Sequence, residues 1–223
     1  MNSKGIFIVG TDTDVGKTFI TAGIISALRN KNIDAVPFKA VASGGPVDLD
    51  FFMKVCKLPE ERKYNTYCFQ TPVSPHLASE IENIKIDLKV IQNDYQVLKD
   101  QAEFVIAEGA GGLIVPIIRD QYYIPDLIRD LELPVVLVAR AGVGTINHTC
   151  LTIEALKSRN ISVKGIILNQ YSGSDTELDN IKIIESLTNT PIIARVPNID
   201  VEVTEDNFYD LVGKHLSNIL EVI

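Results

Sequence analysis

A chain of 223 residues that is 46% hydrophobic and 22% charged is a folded protein long enough for one sizeable α/β core, and a single domain over 1–223 is the expectation. Its 21 Lys and Arg against 29 Asp and Glu give a formal net charge of −8, which argues against nucleic acid or anionic lipid as a partner. No apolar stretch approaches the roughly 20 residues of a membrane span, and the first residues lack a signal-peptide pattern, so the expected location is the cytoplasm.

The first strand-like apolar run, 6–10, leads directly into Gly10-Thr11-Asp12-Thr13-Asp14-Val15-Gly16-Lys17-Thr18 and then into a helical pattern from 17 to about 31. A second strand, 35–38, is followed by Lys39. The least regular stretch, 42 to about 83, holds Gly44-Gly45-Pro46 and Pro72 to Pro75 and reads as an insertion beside a site, with one short helical run at 51–57. A helix at 87–101 precedes the strand 104–107, which ends at Glu108 and a run of glycines. Strands at 135–139, 163–168 and 192–194 then alternate with helices at 145–159, 175–187 and 207–220.

Strands alternating with helices of this length imply right-handed crossovers and a doubly wound, mostly parallel sheet flanked by helices. Ligands of such sheets collect beyond the carboxyl ends of the strands, so the segments just after each strand carry the functional search. Cys56, Cys68 and Cys150 are scattered and read as reduced packing residues. His76, His148 and His215 form no metal-ligand spacing.

Strand, glycine-rich loop, Gly16-Lys17-Thr18 and helix together form a phosphate loop. Backbone N–H groups of Asp14, Val15 and Gly16 surround anionic oxygens, Lys17 reaches the β- and γ-phosphates of ATP, and the Thr18 hydroxyl meets Mg²⁺. Five residues separate Gly10 from Gly16 where a strict Walker A motif has four, so the loop is a variant. Gly142-Val143-Gly144 lacks the third glycine of a dinucleotide fingerprint, and no Gly-x-Ser-x-Gly elbow is present.

The loop, with Asp12 where related ATPases carry a signature lysine and an acid at Asp14, resembles that of the dethiobiotin synthetases within the P-loop superfamily. Lys39-Ala40-Val41-Ala42-Ser43-Gly44, Ser74-Pro75-His76, Glu108-Gly109-Ala110-Gly111-Gly112, Gly144-Thr145-Ile146-Asn147-His148 and Asn169 resemble further segments of that family, in order. Asp14 is the shorter of the two acids, and Ala40 replaces the family's usual proline, leaving the loop after Lys39 less rigid.

The resemblance implies a ligase that takes 7,8-diaminononanoate, CO₂ or bicarbonate, and Mg·ATP. One amine captures CO₂ as a carbamate, the carbamate takes the γ-phosphoryl group, and the second amine closes the ureido ring with loss of phosphate. Lys17, Lys39 and Thr13 are then the catalytic set, since every intermediate is anionic and needs positioned positive charge. Ser43 and Thr13 offer hydroxyls to the diamine. Thr18, Glu108 and a second acid, Asp50 with Asp48 as competitor, hold the metal; either aspartate could instead cap a helix. Gly109, Ala110, Gly111, Asn169, Gln170 and Pro197-Asn198-Ile199 complete the ATP site, Asn169 facing adenine. Gly144, Thr145, Ile146 and Asn147 bind the substrate's carboxylate from a partner subunit, which implies a homodimer. Apart from the resemblance, Lys39 reads as a solvated lysine, Ser43 and Thr13 as turn residues, and His76 and His148 as structural histidines.

Two alternatives remain. One is another amide-forming ligase such as the amidating synthases of corrin biosynthesis, which carry a glutaminase domain for which this chain has no room. The other is a positioning ATPase of the partition or septum-site type, contradicted by Asp12, Thr13 and Asp14 where those proteins have Lys-Gly-Gly.

Overall fold

A computed structural model describes residues 5–222. Its first strand, β1 (Gly5–Gly10), is buried along its whole length, so this run of Ile, Phe and Val needs cover on both faces. The other long strands are β2 (Ala35–Ser43), β3 (Asn65–Phe69), β4 (Phe104–Glu108), β7 (Val135–Arg140), β8 (Val163–Tyr171) and β9 (Ile192–Pro197). They form one seven-stranded sheet in the order β3-β2-β4-β1-β7-β8-β9, and every pairing in it is parallel. Short antiparallel strands β5 (Pro116–Ile118) and β6 (Tyr122–Tyr123) make a separate hairpin.

Helices fill the crossovers: α1 (Lys17–Arg29), α2 (Val47–Val55), α3 (Pro75–Ile81), α4 (Leu88–Gln101), α5 (Ile124–Asp130), α6 (Thr145–Lys157), α7 (Asp175–Thr188) and α8 (Glu205–Leu211). Helix α4 begins at an N-cap aspartate, Asp87, whose side chain accepts from the Lys89 N–H at 2.9 Å. A capping box at Ser174 and Glu177 opens α7. Helices α1 and α4 pack on the β2–β4 half of the sheet, and α6 packs on β7 and β8.

Three differences from the sequence reading have physical causes. Strands β2 and β8 continue past residues 38 and 168, so Lys39 and Asn169 lie inside strands; both side chains find buried partners there. Helix α2 starts at Val47, which places Asp48 and Asp50 in its first turn, where acids suit the helix dipole. The helix read at 207–220 is broken: α8 ends at Leu211 and two 3₁₀ turns follow, Gly213–Leu216 and Ile219–Glu221. An added Cβ on Gly213 would lie 2.8 Å from the Tyr209 ring and 3.3 Å from the Ser26 hydroxyl of α1, and glycine weakens a helix interior by about 1 kcal/mol.

Candidate active site

The carboxyl ends of β1, β2 and β4 border a cleft of about 800 Å³. Four of its lining side chains, Lys17, Lys39, Asp48 and Glu108, are charged groups drawn from α1, β2, α2 and β4. The parallel sheet and the α2 crossover thus bring together residues up to 91 positions apart, from Lys17 to Glu108.

The loop after β1 turns sharply because glycines permit it. A Cβ on Gly10 would lie 2.8 Å from the Asp12 carbonyl oxygen, and Gly16 has φ +91°, a left-handed conformation. Asp14 adopts φ 56°, which aspartate tolerates better than branched residues. The Asp12 carboxylate accepts from the Thr13 N–H at 2.7 Å. Lys17 opens α1 and folds back to donate to the Asp12 carbonyl at 3.1 Å, spanning the mouth of the loop.

Lys39 is 6% exposed and meets two carboxylates, Asp48 Oδ2 and Glu108 Oε1, each at 2.6 Å. Burial works against its charge, but Glu108 and then Asp48 outweigh that, so its pKa is raised. For Asp48, burial opposes ionisation while Lys39 and the Thr18 hydrogen bond favour it, and the net shift is downward. Lys17 goes the other way: burial lowers its pKa against the pull of Glu108, leaving an ammonium that gains from an arriving anion.

The Thr18 hydroxyl lies 2.8 Å from Asp48 Oδ1 and 2.9 Å from Glu108 Oε1. One hydroxyl proton serves only one of those acceptors, so three oxygens converge with more lone pairs than donors. Glu108 Oε2 is buried with no hydrogen-bond partner. This donor set fits a hard divalent cation such as Mg²⁺, which takes few protein oxygens and completes its shell with phosphate and water. Among the described residues, no group of three His, Cys, Asp or Glu is placed to hold a metal ion.

Asp48, rather than Asp50, stands at this cluster; Asp50 is exposed and outside the cleft. The two are separated by about 200° around a helix, so only one can face inward. Thr13, Asp14, Gly16, Ser43, Ala110 and Gly111 also line the cleft, and Ser43 Oγ is buried without a partner. Gly109 accepts from Lys39 through its carbonyl at 3.3 Å. Asn169 lies beside the phosphate loop, its amide donating to the Val15 carbonyl at 3.0 Å. Gln170, with φ 57°, is exposed, and Pro197 pairs with Tyr171 at the end of β9, ahead of exposed Asn198 and half-buried Ile199. Gly144, Ile146 and Asn147 lie at the start of α6 outside the cleft, and Thr145 turns inward to Thr149 at 3.3 Å. Within one chain that segment contributes nothing to the cleft.

The sequence reading overlooked the apolar lining: Val47, Phe51, Pro72, Val73, Pro75 and Val115 also border the cleft. The sequence offered only the place of Val47 after Gly44-Gly45-Pro46; its exposure is a property of the fold. His76 takes part in a hydrogen bond with Ser74 at 3.0 Å, and the cysteines are free thiols, Cys56 lying 3.6 Å from the Ala22 carbonyl.

A parallel sheet whose first strand feeds a Gly-Lys-Thr loop, with an acid ending a neighbouring strand, defines a P-loop nucleotide-binding protein. An AAA-domain family model matches residues 4–205. The chain is 45% identical to the ATP-dependent dethiobiotin synthetase of Clostridium kluyveri, over 88% of this chain and 87% of that protein. It is 44% identical to the enzyme of the same description from Clostridium novyi, over 88% of each. The chain belongs to the AAA-domain family and to the ATP-dependent dethiobiotin synthetases. Its fold also resembles the septum site-determining protein MinD of Pyrococcus horikoshii, with a TM-score of 0.59 at 15% identity over 97% of this chain and 94% of that one. At that identity the likeness is one of fold alone.

Proposed function

We propose that the cleft binds Mg·ATP with its terminal phosphate between Lys17 and Lys39 and carries a carbamate of diaminononanoate to ring closure. The family supplies the activity, ATP-dependent ligation that makes dethiobiotin for biotin. The observation that carries the residue roles is the convergence at one sheet edge of the buried Lys39 ammonium, paired with Asp48 and Glu108, the Thr18 hydroxyl on the same two carboxylates, and the buried Lys17 ammonium, held only by the Asp12 carbonyl.

Thr18, Asp48 and Glu108 are the residues to hold Mg²⁺, which when bound neutralises charge on the β- and γ-phosphates. Asp48 replaces Asp50 in that role because only Asp48 reaches the cluster. Lys17 leaves the Asp12 carbonyl for the phosphate, and the loop amides of Asp14 to Gly16 hold it from the other side. Lys39 then faces the transferring group.

An amine nitrogen of the diamine bonds to CO₂ and loses a proton, giving a carbamate. A carbamate oxygen takes the γ-phosphoryl group and ADP leaves; the second amine attacks the carbonyl carbon, loses its proton and expels phosphate. Lys17 and Lys39 stabilise the charge on the phosphoryl oxygens, and Thr13 and Ser43 position the diamine. The apolar lining from Val47 to Val115 accommodates the alkyl chain. The carboxylate tail goes to Gly144, Thr145, Ile146 and Asn147 of a second copy, so the working form is a homodimer. Gly109, Ala110, Gly111, Asn169, Gln170 and Pro197 to Ile199 enclose the nucleotide. The enzyme works as one domain in the cytoplasm; no helix among the described residues is long and apolar enough to cross a membrane.

The test supplies diaminononanoate, labelled bicarbonate and Mg·ATP. The expected result is label in an acid-stable cyclic urea, matched one for one by ADP. Label recovered only as volatile CO₂, with ADP release indifferent to the diamine, would overturn the reading in favour of an ATPase switch.

A further inference from the structure

The buried amide of Asn169 does more in this fold than wait for a base. Asn169 is 4% exposed, and its Nδ2 donates to the Val15 carbonyl at 3.0 Å, a bond between residues 154 positions apart. The opposite amide orientation would set oxygen against oxygen, so chemistry fixes which end faces Val15. The same Nδ2 fills the space beside the next α-carbon: a Cβ on Gly16 would lie 2.0 Å from it.

No described peptide bond is cis, so the Val15–Gly16 unit is planar and trans, with its C=O and N–H pointing opposite ways. Anchoring the Val15 oxygen on one side therefore aims the Gly16 N–H to the other. Gly16 lines the cleft and directly precedes Lys17, so that N–H is one of the donors available to an anion there.

We propose that Asn169 is a positioning residue for the phosphate loop: through the Val15 carbonyl it holds the Gly16 N–H aimed at phosphate, independently of any contact with a base. The inference rests on the reading of this loop as the triphosphate site. Its consequence is that β8, separated from β2 in the sheet by three strands, tunes phosphate affinity as well as base affinity.

A ligand without a base separates the two roles. Binding of Mg·ATP and of Mg·tripolyphosphate is measured by calorimetry for the wild type, Asn169→Ala, Asn169→Asp and Lys17→Ala, with the Gly16 amide followed by ¹⁵N NMR. Both Asn169 variants are expected to weaken tripolyphosphate by about tenfold and to lose the downfield movement of the Gly16 resonance on binding. Asn169→Ser serves the same comparison if Asn169→Asp, which sets a carboxylate against the Val15 carbonyl, does not fold. Tripolyphosphate affinity within twofold of wild type in every folded variant, alongside weakened ATP, would overturn the proposal and leave Asn169 a base contact only. Unchanged tripolyphosphate binding in Lys17→Ala would instead bring down the phosphate-site reading itself, and this inference with it.

Discussion

Lys39 and Glu108 are register partners across the β2–β4 seam, and their side chains join at 2.6 Å at the carboxyl edge of the sheet. The pair places a permanent positive charge next to the carboxylate best suited to a metal. It also gives a lysine a buried home inside an otherwise apolar strand, where an unpaired charge is costly.

Lys39→Gln removes the charge, keeps a hydrogen-bond donor and shortens the side chain by one atom. It is expected to retain ATP binding by calorimetry and to lose ring closure by about 100-fold or more in the labelled-urea assay. Turnover equal to wild type would remove Lys39 from the catalytic set.

Asp48 and Asp50 differ by two residues and offer an internal control. Asp48→Asn is expected to raise the Mg²⁺ concentration needed for half-maximal turnover by about tenfold, the loss of one charged ligand. Asp50→Asn, outside the cleft, is expected to leave the Mg²⁺ titration unchanged. The reverse ranking would reassign the ligand.

Glu177 fastens the loop that follows β8. Its carboxylate accepts from the N–H groups of Ser172, Gly173 and Ser174 and from the Ser172 hydroxyl, at 2.8 to 3.2 Å. Burial opposes its ionisation, but these bonds outweigh it and hold its pKa below 4.5. Glu177→Ala is expected to destabilise the protein at neutral pH by about 2 kcal/mol, read by urea unfolding. A depressed carboxyl stabilises the fold above its unfolded pKa and loses that effect as pH falls through the folded value. The gap between wild type and variant should therefore narrow below pH 4.5. A gap independent of pH would mean the carboxylate's charge is immaterial.

Val143 is 98% exposed immediately before α6, at the segment assigned to a second copy. Val143→Glu is expected to halve the mass seen by light scattering, from a dimer of 24.6 kDa chains to one chain, and to raise KM for the diamine. A wild-type mass of one chain at working concentrations would remove the dimer.

How far the sequence spoke depends on how local each signal was. The strands β1, β4 and β7 carry apolar runs, 6–9, 104–107 and 135–139, that are buried throughout, as strands covered on both faces require. The phosphate loop was legible because its glycines, lysine and threonine are consecutive. Strand β3 was not: at the sheet edge it is half-buried except at Phe69, so its mixed composition reads like loop. The choice between Asp48 and Asp50 turned on where α2 begins, and Pro46 at its N-cap gives a boundary but no side-chain cap to fix the phase. Asn169 was visible as a residue after a strand. Its bond to Val15 belongs to the packing of β8 against the loop, which no local pattern records.

The end of the chain closes over its beginning. Val212 and Leu216 press on α1 where Gly23 leaves room, an added Cβ meeting each within 2.7 Å, and β1 is the middle strand of the sheet. A ligand that binds only the assembled loop therefore also stabilises the docking of Val212 and Leu216 on α1, so nucleotide tightens a contact far from the phosphates.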